Sequence, residues 1–153
     1  MIIGKHSPQK KIFIEQGYLS KSLDDWIIRI RFTGKDFKIA LKKHIESFTN
    51  FEFEYSIPNQ DGATIMSNLA NTIKKERFLL EVEKKSWIID CFKGNNYPLE
   101  IAEIELSKEE EDLNLPSFIS QEITGLTHYS NFSLTNKPFS EWKEDYITSK
   151  KNN

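Results

Sequence analysis

The sequence predicts a mainly β fold of the α+β class, built from antiparallel strands. Three observations carry this expectation. Short runs of alternating apolar residues recur along the chain, the links between them are brief, and few stretches show helical spacing. Brief links favour antiparallel neighbours, because a parallel crossover needs about a dozen residues or more.

Taken in order, KIFIEQGYL (11–19) is apolar at every second position at first, and WIIRIRF (26–32) alternates cleanly. DFKIALK (36–42) follows a turn at Thr33-Gly34. NFEFEYSI (50–57), KERFLLEVE (75–83), SWIIDCF (86–92) and LEIAEIEL (99–106) complete seven strand candidates. Lys84-Lys85 and Gly94-Asn95-Asn96 mark hairpin connections. DGATIMSNLANTI (61–73) places Ile65, Met66, Leu69 and Ile73 at helical spacing, with Asp61 a candidate N-cap. Ser107 with Glu110 matches a capping box ahead of Pro116, and a terminal helix is expected over about 139–148.

One domain over 1–153 is expected, its core over about 12–134. A chain of this size buries roughly 68–70 % of its unfolded surface. Hydrophobic residues make up 38 % and charged residues 29 %, which suits a soluble globular protein. The net charge of −2 offers no global attraction for nucleic acid or an anionic membrane. Cys91 is the single cysteine, so internal disulfides and multi-cysteine metal sites are excluded. His6, His44 and His128 form no pair at metal-ligand spacing. No apolar run approaches the ~20 residues of a membrane helix. The start, MIIGKHSPQKK, lacks a signal-peptide pattern, and a cytoplasmic setting is expected.

The order of charges on the strands is the informative feature. Arg29 and Arg31, Glu52 and Glu54, Lys75 and Arg77, and Glu103 and Glu105 are like-charged pairs at i, i+2. Each pair shares a strand face, its members about 7 Å apart, while the opposite faces carry Ile28, Ile30, Phe32, Phe51, Phe53 and Tyr55, the last three expected to pack outward under helices and loops. Lys42 and Asp90 project from their own strands. For any single pair, a solvated face is the plain reading. The set suggests a charged interior, because like charges need neighbouring strands or a ligand to compensate them. A closed or nearly closed barrel of about eight strands can hold one small ligand. Its carboxylate wall would bind Mg²⁺ or Mn²⁺, and its Arg and Lys wall would bind phosphate oxygens.

The chain resembles the CYTH superfamily, the triphosphate tunnel metalloenzymes, and within it the bacterial inorganic-tripolyphosphatase group. The stretches that carry the resemblance are QGYLS (16–20), IRIR (28–31), IALK (39–42), EFEYSIP (52–58), KER (75–77), WIIDCF (87–92), AEIEL (102–106), LPSFI (115–119), EITG (122–125) and HYSN (128–131). It implies an eight-stranded antiparallel tunnel that hydrolyses a triphosphate with Mg²⁺ or Mn²⁺. By the same resemblance, Arg29, Arg31, Lys42, Lys75 and Arg77 contact phosphate, and Glu52, Glu54, Asp90, Glu103 and Glu105 serve metal binding. Glu54, Lys75 and Glu105 form the expected catalytic set. Gly17 with Tyr18, and Gly125 with Tyr129, read as structural. Inorganic tripolyphosphate is the expected substrate, with a nucleoside triphosphate as the other partner class and a homodimer as a possible assembly. Relatives of this fold also cyclise ATP or hydrolyse thiamine triphosphate.

The chain departs from the family pattern at its start. The family's first strand carries ExExK, and none precedes QGYLS here. Either Met1 is an internal methionine of a longer chain, or the first strand is lost or borrowed from a partner. In the latter case a polyphosphate-binding module without turnover is the alternative reading. Asn50, Ile88, Leu126 and His128 also stand where the family commonly places charged residues.

Overall fold

The computed structural model describes residues 8–20, 26–46, 49–106 and 115–144. Seven strands form one sheet: β1 (Lys10–Tyr18), β2 (Ile27–Phe32), β3 (Phe37–Glu46), β4 (Thr49–Ile57), β5 (Thr72–Val82), β6 (Lys85–Phe92) and β7 (Glu100–Ile104). Their order is β4-β3-β2-β1-β5-β6-β7, and every neighbouring pair is antiparallel. All the strand runs expected from alternation are therefore strands. Among the described residues β4 and β7 are edges, and no ladder of hydrogen bonds closes the sheet.

Alternation and register sort the side chains onto two faces. The outer face of β5 and β6 buries Leu80, Trp87 and Ile89 under Phe118 and Ile119. On the inner face, Ile73, Phe92 and Ile101 are covered by Tyr129, Leu134 and Phe139, with Trp142 packed against them. That cover comes from the short helix α2 (Asn131–Asn136), whose N-cap Ser130 accepts a hydrogen bond from the Ser133 amide, and from the turns flanking it. Both faces of these strands therefore bury apolar residues, between the charges that β5 and β7 also carry.

Three expectations are corrected. A helix does form after β4, but this helix, α1, runs Asn59–Ser67 and not 61–73. Pro58 holds its N-cap position, and Asp61 lies within its first turn. Thr72 and Ile73 belong to β5, because pairing with Gly17 and Gln16 of β1 claims these β-branched residues for the sheet. The hairpin turn after β5 uses Glu83 (φ 51°) and Lys84 (φ 62°), so Lys85 already starts β6. Of the expected terminal helix, Phe139–Glu141 form a 3₁₀ turn and Lys143 and Glu144 are helical; from residue 145 onward it lies outside the described residues, as do Ser107 and Glu110. Finally, Phe51, Phe53 and Tyr55 do face outward, but they are 50 %, 44 % and 58 % exposed, with the Trp26 ring packed against Phe51 and Phe53. They sit on an edge strand, while α1 packs over β2 and β3, where Gly62 lies against Phe37.

Candidate active site on the inner face of the sheet

Register places the expected site residues on one face. Gln16 opposes Arg31, and Tyr18 opposes Arg29, across β1 and β2. Arg29 opposes Ala40, and Ala40 opposes Glu54; Lys42 opposes Glu52. On the other side of β1, Arg77 opposes Asp90, and Ile88 beside it opposes Glu103. Antiparallel partners point the same way, so Arg29, Arg31, Lys42, Glu52, Glu54, Lys75, Arg77, Asp90 and Glu103 share the inner face. Glu105 lies just past the end of β7 and is exposed. The face is graded: carboxylates line both edge strands, and guanidinium groups occupy the centre.

In that centre the Arg31 guanidinium is pushed below the ordinary arginine value, first by burial and then by the charges of Arg29 and Arg77. Arginines from β2 and β5 thus face the same side of the sheet, flanking β1. Arg31 donates from Nε to Gln16 Oε1 at 3.1 Å, and among the described residues no carboxylate lies within ion-pair reach of it. Gln16 is fully buried and donates in turn to the Tyr18 hydroxyl at 2.8 Å. Arg29 Nη2 reaches Glu54 Oε2 at 3.3 Å, while its buried Nε has no partner. An arginine cluster with an unpartnered donor is a ready receptor for a polyanion.

Beside it lies a buried network. Lys75, with no exposed surface, donates to Asp90 Oδ2 at 2.5 Å and to Asn131 Oδ1 at 2.8 Å. Arg77 forks onto the same carboxylate, Nε to Oδ1 at 2.7 Å and Nη2 to Oδ2 at 2.8 Å. Burial alone would raise the Asp90 carboxyl; the hydrogen bonds and charges of Arg77 and Lys75 outweigh it and hold Asp90 below its ordinary value. Burial pushes Lys75 below the ordinary lysine value, against the pull of Asp90. The Asp90 hydrogen bond raises Arg77.

The carboxylates divide into committed and available groups. Asp90 spends both oxygens on Lys75 and Arg77. Glu54 accepts from Lys38 at 2.8 Å and from Arg29, and the Lys38 hydrogen bond first of all lowers its carboxyl. Glu52 lies 3.4 Å from Lys42, and Glu103 lies 3.8 Å from Arg77; both are about half exposed. Among the described residues no three His, Cys, Asp or Glu side chains converge as a ready cation cage. Nor does any ion pair or hydrogen bond join Glu54, Lys75 and Glu105, the trio expected as catalytic, among the described residues. Burial pushes the Cys91 thiol up to about 11, so it is no thiolate nucleophile near neutral pH.

Three contributors were not foreseen from sequence: Gln16, Lys38 and Asn131. Gln16 and Lys38 could have been found, because each continues the inner-face alternation as a polar residue (Ile14-Gln16-Tyr18 and Lys38-Ala40-Lys42). Asn131 had no such signal, since only the docking of α2 brings it to Lys75. Tyr18 does pack as a ring, edge-on to Phe132 at 5.2 Å. A Cβ at Gly17 would run into Leu69 Cδ1 and lie 3.3 Å from the Asn71 carbonyl, so the Leu69 side chain would have to move to admit one.

The chain is 31 % identical over 137 residues to the inorganic triphosphatase of Acetivibrio thermocellus, covering 88 % of this chain and 87 % of the relative. Its fold matches the crystal structure of the inorganic triphosphatase NE1496 with a TM-score of 0.68 at 22 % identity, covering 82 % of this chain and 86 % of that one. A second structure of NE1496 superposes with the same TM-score at 23 % identity. No protein-family model matches the chain. No helix among the described residues is long and apolar enough to cross a membrane.

Proposed function

This chain belongs to the inorganic triphosphatase family, and we propose that it hydrolyses a triphosphate, inorganic tripolyphosphate by preference, with help from a divalent cation, on the inner face of its sheet. The observation that carries the reading is that Arg29, Arg31 and Arg77 share the inner face on either side of β1, with Arg31 free of any carboxylate partner at ion-pair distance among the described residues. A phosphate chain laid along this volume would take bidentate hydrogen bonds from guanidinium groups on both sides of β1. Lys38 and Lys42 extend the basic band toward β4.

The fit to a cation rests on donor chemistry. Carboxylate oxygens suit Mg²⁺ or Mn²⁺, and Mg²⁺ is usually held by one or two carboxylates plus substrate phosphates and water. Glu103, Glu105 and Glu52 are the available donors; Glu54 becomes one if substrate draws Lys38 and Arg29 away, and Asp90 stays with its cations. Such an ion supplies charge neutralisation and an activated water when bound. The protein's own part is positional. Asn131 holds Lys75, Lys75 holds Asp90, and Asp90 sets Arg77, so the phosphate-facing guanidinium needs little reorganisation as charge develops.

The test is phosphate release from tripolyphosphate with Mg²⁺ or Mn²⁺, against ATP and thiamine triphosphate and against a chelator control. Preference for tripolyphosphate with chelator-sensitive turnover supports the reading. Binding without turnover would select a polyphosphate-binding module instead.

A further inference from the structure

We infer that Gln16 is a positioning residue of this site: its buried amide fixes the Arg31 guanidinium while leaving the arginine's charge uncompensated. The inference rests on the triphosphate reading above. A glutamine with no exposed surface in the central strand of a sheet is costly unless hydrogen-bonded, and an apolar residue would serve the fold better. What Gln16 provides is orientation. A guanidinium only donates, so the amide must turn Oε1 toward Arg31 Nε, which lies at 3.1 Å. Nε2 then faces Tyr18 and donates to its hydroxyl at 2.8 Å, which pins the amide at both ends. The Nε edge of Arg31 is thereby held against the sheet, and its terminal nitrogens are left for a ligand.

The comparison with Arg77 shows why an amide stands there. Arg77 is held by a buried acceptor in the same way, but that acceptor is the Asp90 carboxylate. There Lys75 supplies a second cation, so the buried Asp90 charge is shared between two cations, while Glu103, half exposed and 3.8 Å from Arg77, stays in solvent. No such cation backs Gln16: its cross-strand partners are Arg31 and Ile73. A carboxylate at position 16 would neutralise Arg31 and repel phosphate. A neutral acceptor orients the guanidinium at no loss of charge.

The test uses Gln16→Glu and Gln16→Leu in the full chain, with KM and kcat for tripolyphosphate and urea midpoints measured together. Gln16→Leu is expected to raise KM about tenfold, the scale of losing one charge-assisted hydrogen bond, with kcat within about threefold. Gln16→Glu is expected to raise KM further while being at least as stable as Gln16→Leu, because its carboxylate can still accept from Arg31. The stability order and the affinity order then oppose each other, which a purely structural role would not produce. Wild-type KM in Gln16→Glu, or kcat and KM moving only as stability moves, overturns the inference. Should both variants fail to fold, the Arg31 Nε–H resonance of the wild type decides by ¹⁵N NMR: slow solvent exchange supports the clamp, and fast exchange overturns it. A wild type that neither binds nor cleaves tripolyphosphate overturns the functional reading and this inference together; the other adverse outcomes overturn only this one.

Discussion

Replacing Asp90 with asparagine is the sharpest test of the buried network. The carboxylate is 1 % exposed, and the ammonium it serves, Lys75, is fully buried. Asparagine keeps the shape but removes the charge, leaving Lys75 with Asn131 as its remaining strong acceptor and Arg77 with the half-exposed Glu103, at 3.8 Å, as its counter-ion. Breaking one side of a buried ion pair costs about 3–5 kcal/mol. No solvent-screening discount applies to the Lys75 arm; Arg77, 18 % exposed, recovers part of its loss from water. For a chain of this size the expected fall in melting temperature is roughly 6–20 °C. Urea unfolding of Asp90→Asn, Lys75→Met and the double variant would measure it. The double variant is expected to recover about 1–3 kcal/mol of the Asp90→Asn loss, because the stranded ammonium is gone. A loss below about 1 kcal/mol for Asp90→Asn, or no recovery in the double variant, would refute the claim that charge pairing holds this network together.

The remaining expectations follow from the same geometry. Asp90 has its carboxyl below the ordinary value in the fold, so its contribution is complete above the unfolded pKa of ~3.9 and is lost as pH falls through the lower folded value. Urea midpoints across acidic pH should show this limb, and Asp90→Asn should flatten it. Arg31→Ala should raise KM for tripolyphosphate about tenfold to a hundredfold, with Arg31→Lys a poor rescue because an ammonium lacks the fork; initial-rate assays check both. Gly62→Ala, which in an exposed helix would add about 1 kcal/mol, should instead destabilise by about 1–3 kcal/mol, because its Cβ meets the Phe37 ring. Lys11→Ala should cost less than about 1 kcal/mol by urea unfolding, since its pair with Glu76 is largely solvated.

The sequence by itself determined the strands and the face each charge takes. Alternation has a period of two, so once Ile28 and Ile30 are placed on the outer face, Arg29 and Arg31 must share the inner one. The same logic placed Glu52 with Glu54 and Lys75 with Arg77. It failed at Thr72 and Ile73, where helical spacing and strand propensity compete, and pairing with β1 decided the matter. It failed also for the β4 aromatics, because a periodic pattern says which face a ring takes but not whether anything covers that face.

What only the tertiary structure decided is how the charges are spent. Sequence presents Asp90 and Glu103 alike, as carboxylates on neighbouring strands. Folding buries Asp90 between Lys75 and Arg77, where its oxygens are consumed, and leaves Glu103 half exposed and loosely held. It also brings Asn131 from α2 to Lys75, across a sequence separation of 56 residues. The physical reason is that charge and alternation are local properties of a chain, whereas desolvation and partner choice depend on which segments pack together.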